Sequence, residues 1–164
     1  MVPPKAPHAD KEQASQTRDR IWALLQEQPF GVLCTQGDGQ PYGSVVAYAI
    51  DQDMRCLAFA TPKASRKYEL LCGCDAVAIV IDSRPTFPDD LASVEALTAV
   101  GRAAPLGEGT EFNRWAAALA GRHPQIESFI YDPSSALFRV DISRYRYVYQ
   151  FQKVRQWQPE PSVG

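Results

Sequence analysis

The dipeptide Asp38-Gly39 lies between two runs, residues 30–36 and 42–50, that are rich in β-branched and aromatic side chains. A two-residue Asp-Gly loop between such runs is a strong short-range signal for a β-hairpin. Just upstream the spacing is helical: Ile21, Leu24 and Leu25 share one narrow apolar face over about residues 15–28. Pro29 stops that helix, because its ring removes a backbone donor and clashes with the preceding turn. The chain therefore changes from helix to sheet at residue 30.

More strands follow. Residues 55–60 read as a third strand, reached through the turn Asp51-Gln52-Asp53. Residues 65–72 read as a short helix with Gly73 as its stop. The run Ala76-Val77-Ala78-Ile79-Val80-Ile81 is almost continuously apolar, as in a strand buried on both faces. A proline-containing loop over 83–91 leads to a strand over 94–104. Phe112, Trp115, Ala116 and Leu119 restore helical spacing over 110–120, with Trp115 as core, and a shorter helical stretch lies near 125–130. Residues 136–151 form a long last strand, bent near Ser143, with Tyr145, Tyr147, Tyr149 and Phe151 alternating onto one face. About six strands in mostly sequential hairpins predict a mainly β fold, an antiparallel barrel with flanking helices that closes to remove its edges. The strands are too irregular for a βαβ sheet, and neither GxGxxG nor GxxxxGK[ST] occurs.

A chain of 164 residues fits one domain, placed here at 15–158, with flexible tails at 1–14 and 159–164. Its 45% hydrophobic content can fill a core. The formal charge of −2 lacks the clustered basic excess of a nucleic-acid binder. No apolar run nears the roughly 18 residues that would span a bilayer, and the N-terminus carries no signal-peptide pattern. The expectation is a cytoplasmic protein with no membrane or nucleic-acid partner.

The residue types of hydrolytic and metal chemistry are sparse. Cys34, Cys56, Cys72 and Cys74 read as reduced thiols, and the CxC of Cys72 and Cys74 is tighter than the CxxC of a zinc site or redox helix. The histidines are His8 in the tail and His123, read as a surface helix cap, so neither a metal site nor a Ser-His-Asp triad can be assembled. Asp89 and Asp90 are adjacent in a loop and read as solvated. Trp157 lies beyond the last strand, in a short run that covers a neighbouring part of the molecule.

The segment Ala60-Thr61-Pro62-Lys63-Ala64-Ser65-Arg66-Lys67 carries the functional signal. It spans a strand-to-helix junction, where Thr61 or Ser65 suits an N-cap. A helix start bears partial positive charge and favours acids, yet Lys63, Arg66 and Lys67 crowd this one. Backbone N–H groups, hydroxyls and cations together form a site for phosphate.

The pattern T-x-x-x-S-R-K after a third strand, then a helix and an apolar strand, resembles the pyridoxamine 5'-phosphate oxidase-like, FMN-binding split-barrel superfamily. The likeness runs from about Phe30 to Phe151 and includes DGQPYGSVV, LAFATPKASRKYELL, AVAIVI and LTAVGRA. It implies a six-stranded antiparallel split barrel and a homodimer with FMN at the interface. By position, Ser65, Arg66 and Lys67 would hold the phosphate and Thr61, after Ala60, the flavin side of the loop. Ser44 would belong to the cofactor site, Val45, Val46 and Tyr48 would line the flavin through their backbone, and Tyr149 would reach it from the partner subunit.

The resemblance also has departures. Where the oxidases carry a phosphate-binding Arg this chain has Ser44; where they carry a Lys near the substrate it has Ala49; where they offer the flavin a Gln it has Ala96. A lost contact to a charged group costs about 1.5–3 kcal/mol, which FMN binding can survive. The departures argue against vitamin B6 oxidation. The reading is an FMN-dependent oxidoreductase of an unidentified small molecule, with a nicotinamide nucleotide or reduced partner as donor. The alternative is a non-catalytic flavin or haem carrier.

Overall fold

Asp38 and Gly39 take left-handed φ values of 53° and 75°, and the hairpin they close pairs Phe30 through Gly37 with Gln40 through Ala47. The computed structural model describes residues 7–161. In chain order these form α1 (Pro7–Glu27), β1 (Phe30–Gly37), β2 (Gln40–Ala47), β3 (Ala49–Ile50), β4 (Cys56–Pro62), α2 (Arg66–Gly73) and β5 (Ala76–Asp82). There follow β6 (Ala96–Pro105), α3 (Thr110–Arg122), a single 3-10 turn, α4 (Glu127–Ile130), β7 (Ser135–Tyr149) and β8 (Lys153–Trp157). Among the described residues no helix is long and apolar enough to cross a membrane.

The strands pair antiparallel in the order β2-β1-β5-β6-β7-β4-β3. β2 and β3 are consecutive pieces of one chain, separated only by Tyr48, so the two ends of this row meet and the sheet curls into a barrel. Counting them as one bent strand recovers the expected six. β8 adds to β7 outside that ring.

Alternation fills the interior. Leu33, Val46, Phe59, Ile79, Ile81, Leu97 and Val140 face inward with little or no exposure, and Ile21, Leu24 and Leu25 of α1 seal the barrel with them. Each such side chain stabilises the fold by roughly 1.5–3 kcal/mol on burial. β5 is buried on its inner face only; Ala78 and Val80 on the other face are half-buried. Trp115 of α3 is core, as its spacing predicts, packed with Leu119 outside β4.

Three further expectations change. Residues 7–14 of the expected tail are helical: Pro7 opens α1 where its missing N–H is harmless, and residues 8–14 contain no helix breaker. The expected tail segments 1–6 and 162–164 lie outside the described residues. The last strand ends at Tyr149, because Gln150 and Phe151 adopt φ values of 46° and 68° and turn the chain back into β8. Phe151 is therefore an exposed turn residue, and Trp157 packs on Tyr145 at 5.7 Å between ring centres. The third change concerns His123. It caps α3 but is buried, its Nε2 3.0 Å from the Tyr48 carbonyl oxygen and its ring stacked on Phe30.

The bend at Ser143 is a β-bulge. Val100 faces Arg144 and Gly101 faces Ile142, which leaves Ser143 as the extra residue, its hydroxyl donating to the Val100 carbonyl at 3.0 Å. Gly101 permits the close approach: a Cβ there would lie 2.2 Å from the Asp141 carbonyl oxygen.

Candidate functional site

A slit forms where β2 leaves β4. The β3–β4 ladder holds only Ala49 with Ala58 and Ile50 with Leu57. Continued in register it would set Ala47 against Ala60 and Val45 against Pro62, but pairing stops and β2 pairs with β1 alone. Val45 and Val46 on one side, and Ala60 and Thr61 on the other, thus keep one strand edge free of ladder partners. Those edges carry backbone donors and acceptors.

The slit runs into α2. Ser65 is its N-cap, with extended backbone, and its Oγ accepts from the Tyr68 N–H at 3.2 Å. Thr61, fully buried, holds that hydroxyl through its own at 2.9 Å. The two residues therefore fix each other and the entry angle of the helix.

The three cations differ. Lys63 is held by the Pro133 carbonyl at 2.8 Å, and Arg66 pairs with Glu69 one turn along at 3.0 Å, both ends exposed. Such surface pairs are weak and exchange readily. Glu69 also supplies first-turn acidity, so the crowding of positive charge is milder than the spacing of basic residues implies. Lys67 stands apart. Helical spacing puts it on the face of Leu70 and Leu71, which are buried, and it is itself half-buried. It has no ion-pair or hydrogen-bond partner among the described residues, and burial pulls its ammonium below its ordinary pKa.

Among the described residues two buried hydroxyls lack partners: Ser44 Oγ on β2 and Ser135 Oγ, whose residue faces Pro62 across the sheet. Orphaned buried hydroxyls are uncommon and fit a group that supplies hydrogen bonds when present. Ser135 escapes sequence reading because only the β4–β7 register brings it beside the loop.

Two of the sequence-derived residues lie elsewhere. The Tyr48 ring is buried, and its hydroxyl donates to the carbonyls of Leu25 and Gln28 at 2.9 and 2.7 Å. Arg122, stacked on that ring, donates to the same two carbonyls, a cation satisfying the open end of α1. With its carbonyl held by His123, Tyr48 uses its ring, hydroxyl and carbonyl to brace the end of α1. Tyr149 lies at the far end of β7 from Ala136, the partner of Thr61. The intervening stretch is roughly 40 Å along an extended strand, so Tyr149 lies far from the Thr61–Ser65 end of the slit. Its ring stacks on Tyr147 at 5.3 Å, with Arg155 over it at 4.8 Å.

A closed antiparallel barrel that splits along one seam, with a basic helix start at the end of the split, defines a split-barrel protein. Comparison with known proteins agrees: the model for pyridoxamine 5'-phosphate oxidase matches residues 17–149, and the chain belongs to that family. Among solved structures, a haem-binding protein from Mycobacterium smegmatis superposes with a TM-score of 0.74 at 19% identity, over 83% of this chain and 55% of that one. A FAD-binding protein from Mesorhizobium loti gives 0.64 at 16%, over 79% and 90%. A Clostridium acetobutylicum protein of the pyridoxinephosphate oxidase family, related to a Bacillus subtilis general stress protein, gives 0.68 at 14%, over 87% and 94%. This chain thus spans little more than half the length of the mycobacterial protein. No protein of curated function matches. At these identities the superpositions establish the fold.

Proposed function

We propose that the slit binds FMN and that the protein is a flavin-dependent oxidoreductase of a small molecule, working as a homodimer. The observation that carries this reading is Lys67, a half-buried ammonium with no counter-ion among the described residues, at the start of the helix that closes the slit. A phosphoryl group there would meet Lys67, the Ser65 hydroxyl and the open N–H groups of α2, with Arg66 able to swing from Glu69. The free edges at Val45–Val46 and Ala60–Thr61 offer N–H and C=O groups to a planar heterocycle, and Ser44 offers its hydroxyl. Flavin supplies hydride and electron transfer when bound; the protein supplies binding, orientation and electrostatics. A reduced nicotinamide nucleotide or a reduced partner protein serves as donor in this reading.

The outer face of β2-β1-β5 supports the homodimer. Phe30, Val32, Val45 and Val80 line an apolar groove of about 720 Å³ there, rimmed by Pro85 and Pro88. Val45 is 69% exposed and Leu91, in the adjoining loop, 63%. Apolar groups gathered in this way mark a contact surface.

The non-catalytic reading, a flavin or haem carrier, rests on the mycobacterial superposition. Against haem, the His123 Nε2 is already held by the Tyr48 carbonyl. The absorption spectrum of purified protein, with the extracted cofactor identified by mass, decides between them. Flavin bands and FMN are expected, and steady oxidation of reduced nicotinamide with an acceptor separates enzyme from carrier. A Soret band, or a colourless protein that takes up no added FMN, would overturn the proposal.

A further inference from the structure

α2 ends as distinctively as it begins. Cys72 lies in its last turn and is exposed, Gly73 is its last residue, and Cys74 caps it in extended conformation, half-buried. The Cys74 N–H donates to the Leu70 carbonyl at 2.9 Å, and its Sγ accepts from Gln36 Nε2 at 3.6 Å. Cys74 also lines, with Arg66 and Glu69, a cavity of about 480 Å³ between α2 and the β1–β2 hairpin. Two exposed or half-exposed thiols therefore lie at the end of the helix whose start carries Arg66 and Lys67 of the proposed phosphate site.

Geometry permits these sulfurs to join. Residues two apart have Cα atoms roughly 5–7 Å apart, since each step is about 3.8 Å, and disulfides span about 4.4–6.8 Å. What must change is the direction of the Cβ bonds, and the residue between them is a glycine with no atom within 4 Å of its Cβ position. So short a ring is strained, and strained disulfides are easily reduced, which suits a reversible pair rather than a staple. Closing it turns Cys74 out of its bond to Leu70. Leu70 Cδ2 packs against Gly37, and Lys67 shares the face of Leu70 and Leu71, so a change at this end of the helix is carried to the other.

We propose that Cys72 and Cys74 form a dithiol–disulfide switch that, on oxidation, loosens α2 and weakens its grip on a phosphate. The oxidant is a small-molecule disulfide. One protein thiolate attacks it, forming a mixed disulfide and releasing one small thiol; the second protein thiolate displaces the other. Two electrons and two protons leave the pair, and the small disulfide is reduced to two thiols. The functional consequence rests on the FMN reading; the switch itself does not.

The test incubates the whole protein in reduced or oxidised glutathione, alkylates free thiols and digests with trypsin. Peptide 68–102 holds Cys72 and Cys74 and no other cysteine, because cleavage is blocked between Arg84 and Pro85. After oxidation it should carry no alkyl group and weigh two hydrogens less than the free dithiol peptide, with Cys34 and Cys56 alkylated; after reduction it should carry two alkyl groups. Amide hydrogen exchange in α2 should quicken, and FMN affinity should fall by about 5- to 150-fold, the range of ordinary linkage between sites. Dithiothreitol should restore both, and Cys72→Ser should show neither. A Cys34–Cys74 or intermolecular bridge, or a closed pair that leaves α2 exchange unchanged, would overturn the switch. A bridge with faster exchange in a protein that never takes up FMN would uphold the switch and remove the flavin reading instead.

Discussion

Lys67 is where a single side chain can be made to speak for the site. Its neighbours Lys63 and Arg66 already have partners, so their positive charge is partly satisfied without any ligand. Replacing Lys67 with Ala should weaken FMN by about 10- to 150-fold, the equivalent of a charge-assisted bond worth about 1.5–3 kcal/mol, and leave riboflavin nearly unaffected. Arg66→Ala should cost less, because Glu69 competes for that guanidinium. Fluorescence titration of both flavins measures the difference; equal losses for FMN and riboflavin would show that Lys67 holds no phosphate. At this scale the basic cluster was legible in the sequence, but its division of labour was not. Residue types state charge, whereas Pro133 and Glu69 decide which charges remain open.

Among the elements, the Arg20–Glu95–Tyr147 junction ties α1 to β7 and the residue before β6. Glu95 accepts from the Arg20 guanidinium and the Tyr147 hydroxyl. Burial would raise the Glu95 carboxyl, but these two bonds outweigh it and hold the group below its ordinary value of 4.5. Burial first, then the bond to Glu95, pushes the Tyr147 hydroxyl up to about 12. A depressed carboxyl stabilises the fold fully above its unfolded pKa and loses that contribution as pH falls through the folded one. Thermal unfolding between about pH 3 and 6 should therefore steepen in the native protein relative to Glu95→Gln, which should melt lower at neutral pH. Parallel curves would mean that the junction contributes nothing. The sequence announced the hairpin at Asp38-Gly39 and the bend at Ser143. β8 was hidden because its turn uses Gln150 and Phe151, residues that rarely adopt positive φ.

For the whole molecule the question is assembly. Tyr149 and the basic start of α2 lie at opposite ends of β7's pairing, so one barrel cannot bring them together. In the proposed homodimer Tyr149 would come from the second copy instead. Light scattering should report twice the 18.2 kDa chain mass, and Val45→Asp, which sets a charge in the apolar groove, should shift the mass to a single chain. A native protein that is monomeric while saturated with FMN would end the interface model. The family match over residues 17–149 says which architecture the chain uses and leaves its substrate to experiment.

From sequence alone came the change from helix to sheet at Pro29, the succession of strands and the cluster at 61–67, because local propensity and side-chain period act over neighbouring residues. Tertiary structure alone decided that Tyr48 faces the core, that Ser135 stands beside Pro62 and that β2 parts from β4 to open a slit. Those outcomes depend on register and on where a ladder stops, and both are set by contacts between residues far apart in the chain.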